Sequence, residues 1–406
     1  MTPRHYGNWF DIQIMGEDDM ASYKEFHKRS IEDRDGFWGE QAQLIHWNKQ
    51  PAQIYDFSNP PFVKWFVGGE TNLCYNAVDR HAETHPDRKA LVYISTETDE
   101  EKTYSFAELR AEVMRMAAIY QSLGVKRGDR VLIYMPMIAE ACFAMLACAR
   151  IGAIHSVVFG GFASHSLATR IDDAKPTVIV SADAGMRGGR PVPYKHLLDE
   201  AINLAEHKPA KVLMVNRGLD KAMEVVAGRD EDYATLRAQH LDAQVPVTWL
   251  ESSDPSYILY TSGTTGKPKG VQRDTGGYAV ALAASMKHIY CGNAGETFFS
   301  TSDIGWVVGH SYIIYGPLIA GMATVMYEGT PLRPDAGIWW KICQEQEVTV
   351  MFSAPTAIRV LKKQDPAFLK KYDLSKLRGL YCAGEPMDET SHQWMMDELG
   401  IPVIDH

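Results

Sequence analysis

The chain has 406 residues, a formal net charge of −10, and hydrophobic and charged contents of 46% and 23%. It is too long for one ordinary domain and calls for two or three packed units or one large multi-layered body. The acidic balance excludes a nucleic-acid or anionic-membrane surface as the main partner, and no apolar run reaches the roughly 18 residues of a membrane span.

The first seventy residues are rich in Trp, Phe, Asp and Pro (Trp9, Phe10, Trp38, Trp47, Trp65, Phe66) without sustained periodicity, which predicts an irregular cap over residues 1–70. Residues 1–20 have neither the apolar core of a signal peptide nor the acid-poor composition of a transit segment, so a cytoplasmic location is expected. From Thr71 a helix near 76–84 leads to a strand at 90–94, a helix at 105–123 ending at Gly124, and a strand at 131–135. A helix at 139–150 is closed by Gly152, and strands follow at 153–159, 177–180, 211–215 and 257–259. After a helix at 277–290, further strand-like runs occupy 323–327, 348–352 and 380–383. Short β-branched runs alternating with amphipathic helices predict an α/β fold of mainly parallel sheets covered on both faces, over residues 71–406. Six scattered cysteines, Cys74, Cys142, Cys148, Cys291, Cys343 and Cys382, form no CxxC pair and have no histidine at ligand spacing, so they read as reduced core residues; no metal ligands are assigned.

The most informative segment is Tyr260-Thr261-Ser262-Gly263-Thr264-Thr265-Gly266-Lys267-Pro268-Lys269-Gly270. Glycines free backbone N–H groups to converge on an anion, and hydroxyls and ammonium groups add donors. Lying between the run at 257–259 and the helix at 277–290, it is expected where a strand hands over to a helix. A Walker A loop needs four residues between its first Gly and Gly-Lys-Ser/Thr. Here Gly263 and Gly266 are three apart and Pro268 follows Lys267, so that motif is excluded.

Three further segments suit a ligand. Arg187-Gly188-Gly189-Arg190 sets two guanidinium forks around a glycine pair, a better match to phosphate than to a lone carboxylate. Gly384-Glu385-Pro386 turns the chain after a strand, where open α/β sheets leave their crevice. Trp306-Val307-Val308-Gly309 can form an apolar slot. His310 follows it, and a packing role is preferred for that residue over general base.

Together these segments resemble the acyl-adenylate-forming superfamily over all eleven residues of the 260–270 loop. The match to its short-chain acyl-CoA synthetases rests on Asp303-Ile304-Gly305-Trp306-Val307-Val308-Gly309-His310-Ser311-Tyr312, Tyr315-Gly316-Pro317-Leu318, Ala383-Gly384-Glu385-Pro386, residues 352–359, Phe159-Gly160-Gly161-Phe162 and residues 65–69. The resemblance implies activation of a short carboxylate by ATP to acyl-AMP and pyrophosphate, then thioester formation with coenzyme A, with Mg²⁺ as the accompanying ion. It implies that Thr261, Ser262, Gly263, Thr264, Thr265, Gly266, Lys267 and Lys269 handle the β- and γ-phosphates. Gly384, Glu385, Pro386, Asp405 and His406 would bind nucleotide. Gly160, Gly161, Arg187, Arg190, Val308 and Leu332 would lie on the coenzyme A side, and Trp306, Val307 and Val308 in the acyl pocket.

Val308 stands where acetyl-CoA synthetases carry Thr, and Leu332 where they carry Asn. Both changes remove a polar group and point to the propionyl-CoA synthetases, so propionate is the expected acid, with an acetyl-CoA synthetase or another adenylating ligase as the alternatives. One methylene discriminates by only about 1–3 kcal/mol. A non-catalytic nucleotide- or acyl-binding module is the reading from another class. Family members continue beyond the position of His406 into a Gln-Thr-Glu-Thr-Gly segment and a small mobile C-terminal domain. The chain is therefore expected to be the large N-terminal domain of a longer enzyme, nearly inactive alone.

Overall fold

The computed structural model describes residues 23–261 and 268–406. Among these, two seven-stranded sheets dominate. The first runs, edge to edge, through Asp230–Asp232, Lys211–Val215, Val178–Ala182, Arg130–Tyr134, Ile154–Val157, Pro255–Thr261 and Lys269–Asp274. The second runs through Val403–Asp405, Gly379–Cys382, Val348–Ser353, Thr297–Ser300, Ala323–Glu328, Lys89–Ser95 and Glu100–Ser105. Each sheet is parallel except for one antiparallel edge pair, Pro255–Thr261 with Lys269–Asp274 and Lys89–Ser95 with Glu100–Ser105. The expected multi-layered parallel α/β architecture is observed.

The core explains why the sheets stack. Helix Ala139–Ile151 is buried at every residue except Glu140, as its nearly continuous Ala, Met, Leu and Cys composition requires. With Phe106–Ser122 it lies in one apolar cluster that takes Val131, Ile133, Val178 and Val180 from the first sheet and Leu91, Tyr93 and Met326 from the second. Helix Phe106–Ser122 opens on a capping box, Ser105 accepting from the Glu108 amide and Glu108 accepting from that of Ser105. Helices Ser164–Ala174 and Tyr194–Leu204 cover the outer face of the first sheet, and Ile338–Glu345, Pro355–Lys362 and Glu389–Leu399 that of the second.

Two expectations are corrected. The signature loop does not join a strand to a helix: Thr261 pairs with Lys269 and Tyr260 with Gly270, so residues 262–267 connect two antiparallel strands and the helix Gly276–His288 comes only afterwards. Lys269–Asp274 carries no strand signal in the sequence because it is an edge strand with exposed, mostly polar side chains. The N-terminal region is also more regular than expected. It holds the helices Tyr23–Glu32 and Arg34–Gln41 and a hairpin of Gln53–Asn59 with Phe62–Val67. Its aromatic residues pack across elements, Trp38 edge-on to Trp65 and Trp47 against Phe66, so their spacing carries no single period. No helix among the described residues is long and apolar enough to cross a membrane. All six cysteines are free; five are buried and Cys291 is half-buried.

Candidate active site

Parallel strands bring their carboxyl ends to one side, where the following loops form a crevice. A cavity of about 570 Å³ opens there between the sheets. The first sheet contributes Met137, the turn 159–163 and Gly185 to Arg187; the second contributes Glu97, residues 301–303 and Glu328 to Pro331. Gly160, Gly161 and Arg187 therefore share one cavity, and Arg190 faces Arg187 across their short hairpin. Tyr194 stacks on Tyr134 at 4.8 Å and packs so closely on Gly160 that any Cβ there would overlap its ring. Leu332, 40% exposed, follows the lining residue Pro331.

The acyl-slot segment divides between two surroundings. The Trp306 indole lies 5.4 Å from Phe159 and 6.2 Å from Phe162, against the glycine turn of the cavity. Val307 is half exposed, and Val308 packs on a separate aromatic cluster that includes Tyr290, Phe352 and Tyr381. His406 meets Tyr290, Phe352 and Tyr381 edge-on, so Val308 and His406 border the same cluster.

Gly384, Glu385, Pro386, Asp405 and His406 are brought together by adjacent parallel strands, with Cys382 opposite Asp405. The Met387 amide donates to Asp405 Oδ2 at 3.2 Å, and the His406 amide to the Cys382 carbonyl at 2.7 Å. Gly384 has φ +102° with open space where a side chain would stand, a backbone position suited to glycine and to a ligand's approach. Glu385 accepts from the Thr356 hydroxyl and from Arg359, which hold its carboxyl below its usual range. Of the signature loop, Thr261 and Lys269 end the paired strands with exposed side chains, while Ser262, Gly263, Thr264, Thr265, Gly266 and Lys267 lie outside the described residues.

Sequence reasoning gave no role to three groups at this site. Asp303 lines the cavity and accepts from the Gly305 amide at 2.7 Å; burial pushes its carboxyl up to about 6. Glu328 receives a two-pronged ion pair from Arg217. Glu97 reaches in from an acidic hairpin loop that composition alone marks as solvated surface. His310 stands in the core, fully buried, its Nδ1 donating to the Trp306 carbonyl at 3.0 Å.

A family model described as AMP-binding enzyme matches residues 78–406, and one described as acetyl-coenzyme A synthetase N-terminus matches residues 23–77. The chain is 63% identical over 385 residues to a propionate–CoA ligase of Salmonella typhimurium, covering 95% of this chain and 61% of the relative. It is 47% identical over 392 residues to the mitochondrial acyl-CoA synthetase short-chain family member 3 of Rattus norvegicus, covering 95% of this chain and 57% of that one. Among solved structures, an acetoacetyl-CoA synthetase from Streptomyces lividans superposes with a TM-score of 0.86 at 26% identity, covering 95% of this chain and 59% of its own. The chain thus spans about three fifths of the length of these relatives. With most of its residues matched by the AMP-binding model and the preceding stretch by the synthetase N-terminus, it belongs to the AMP-binding enzyme family.

Proposed function

We propose that the chain is the adenylating part of a short-chain acyl-CoA ligase with propionate as its preferred acid. A carboxylate oxygen of the acid attacks the α-phosphorus of ATP and pyrophosphate leaves; the coenzyme A thiolate then attacks the acyl carbonyl and AMP leaves. The observation that carries this reading is the junction of three segments at the carboxyl ends of both sheets. These are the turn 384–386 with Asp405 and His406, the Trp306 to Val308 segment, and the cavity shared by Gly160, Gly161 and Arg187.

In this reading the acid is already ionised and is itself the nucleophile, so no general base is required. The chain's part is to hold carboxylate and α-phosphate in line and to stabilise the phosphates through the hydroxyls and lysines of residues 261–269. The burial of His310, which lowers its pKa to about 4, agrees with a bracing role. Among the described residues no group of three or more His, Cys, Asp or Glu is arranged to hold a metal ion. Magnesium therefore enters this reading as the complex with ATP, and no step is assigned to it. Preference for propionate is supported by Val308 on its aromatic cluster and by the names of the relatives.

The test is calorimetry of the chain with non-hydrolysable acetyl-, propionyl- and butyryl-adenylate analogues. Tightest binding of the propionyl form, by about 10-fold over acetyl as one methylene allows, is expected. Tightest binding of the acetyl form would reassign the acid, and failure to bind any of the three would overturn the adenylate site of this chain.

A further inference from the structure

The turn between the short strands Gly185–Arg187 and Arg190–Val192 is held from outside by a single carboxylate. Gly188 and Gly189 have φ values of +59° and +79°, and their two amides converge on one side chain. The Gly188 N–H donates to Glu97 Oε1 at 3.0 Å and the Gly189 N–H to Glu97 Oε2 at 2.6 Å. Consecutive amides arranged this way make an anion nest, and here the protein fills it with its own carboxylate. The Glu97 side chain is 1% exposed, and Arg333 Nη1 stands 3.8 Å from Oε2. A Cβ on Gly189 would collide with that guanidinium.

Glu97 and the turn belong to different sheets. Glu97 follows the second-sheet strand Lys89–Ser95, whereas the 185–192 hairpin follows the first-sheet strand Val178–Ala182. The side chains of Arg187 and Arg190 are exposed, and among the described residues neither makes a hydrogen bond or a close ion pair. The carboxylate therefore occupies the amides of the turn and leaves both guanidinium forks unpaired, Arg187 lining the cavity and Arg190 opposite it across the hairpin.

We propose that Glu97 is a positioning residue for a phosphate-bearing thiol acceptor: by taking the Gly188 and Gly189 amides it fixes the turn from which Arg187 and Arg190 meet the acceptor's phosphates. The inference rests on reading this cavity as the acceptor site. A buried carboxylate gripped at both oxygens serves as a fixed strut. The rival role, a stand-in that the incoming phosphate must displace, predicts the opposite change in affinity when the carboxylate is removed. Glutamine at position 97 presents an N–H₂ to one of the two amides, so it keeps at most one of the bonds.

The test is calorimetry of the wild-type chain, Glu97→Gln, Arg187→Ala and the double variant with coenzyme A, pantetheine and the propionyl-adenylate analogue. Glu97→Gln is expected to weaken coenzyme A about 10-fold while leaving pantetheine and the adenylate analogue unchanged. Because Glu97 acts through the arginines, the double variant is expected to lose less than the product of the two single losses. Unchanged or tighter coenzyme A binding by Glu97→Gln overturns the inference, tighter binding marking the carboxylate as a competitor. Equal weakening of all three ligands reduces Glu97 to general structural support and overturns it as well. Wild-type chain that takes the adenylate analogue but no coenzyme A overturns the acceptor reading of the cavity, and the role of Glu97 with it.

Discussion

Arg217 and Glu328 join the two sheets through parallel hydrogen bonds, Nη1 to Oε1 at 2.8 Å and Nη2 to Oε2 at 2.7 Å. Arg217 comes shortly after the first-sheet strand Lys211–Val215, and Glu328 ends the second-sheet strand Ala323–Glu328. Their side chains are 10% and 4% exposed, and the hydroxyls of Ser95 and Tyr93 donate to the same carboxylate at 2.7 and 3.1 Å. Glu328→Ala leaves the guanidinium uncompensated and is expected to cost about 3–5 kcal/mol in urea unfolding at pH 7. An Arg217→Met, Glu328→Leu pair is expected to recover most of that loss. A loss below about 1 kcal/mol for the single variant would mean that the pair behaves as an exposed one.

Gly309 shows how tightly the slot segment is packed. A Cβ there would overlap the Asp303 carbonyl and lie 2.6 Å from the Ile304 Cα, all backbone that cannot swing aside. Gly309→Ala is expected to destabilise by at least about 1–3 kcal/mol and to weaken the propionyl-adenylate analogue. Gly39→Ala is the control, since its Cβ would meet only the Ile54 side chain at ordinary distances, 3.6 Å and beyond. Comparable thermal midpoints for the two variants would refute the packing argument.

Asp303 links site and stability through pH. Burial raises its carboxyl from 3.8 to about 6, opposed by the Gly305 amide and the charge of Arg187. A raised acid favours its protonated form in the native state, so its favourable contribution is complete below about pH 4 and is lost as the pH rises through about 6. Asp303→Asn keeps an acceptor for the Gly305 amide and carries no charge. It is expected to be more stable than wild type by about 2–3 kcal/mol at pH 7.5 and nearly equal at pH 4. No difference between the two pH values would sink this account.

The histidines act in the opposite direction. Burial lowers His310 to about 4, burial followed by the charge of Arg80 lowers His81 to about 4, and burial and His310 hold His155 well below its usual range. Groups with depressed pKa values contribute stability above about 6.5 that drains away as the pH falls toward 4. Urea midpoints are expected to fall steeply between pH 6.5 and 4, and His310→Asn to flatten part of that limb while His81 and His155 retain theirs. A limb of unchanged slope in the variant would show that His310 takes up its proton in the folded state as readily as in the unfolded chain.

The local parts of this protein were legible in its sequence. Strands such as Val178–Ala182 and the central helix Ala139–Ile151 announce themselves because burial on all sides demands continuous apolar residues, a demand each segment meets by itself. The turn 384–386 and the arginine pair were equally readable, since glycine and guanidinium chemistry is written into adjacent positions. The edge strand Lys269–Asp274 was not, because an exposed strand carries no apolar mark and exists through the hydrogen bonds of its partner. Glu97 was still less so: it is an acid among acids along the chain, and the amides that give it a role lie 91 and 92 residues away. Sequence determined the segments and the chemistry each can offer. Only the stacking of two sheets decided which segments meet, because contacts between distant residues depend on how the apolar faces pack and leave no local trace.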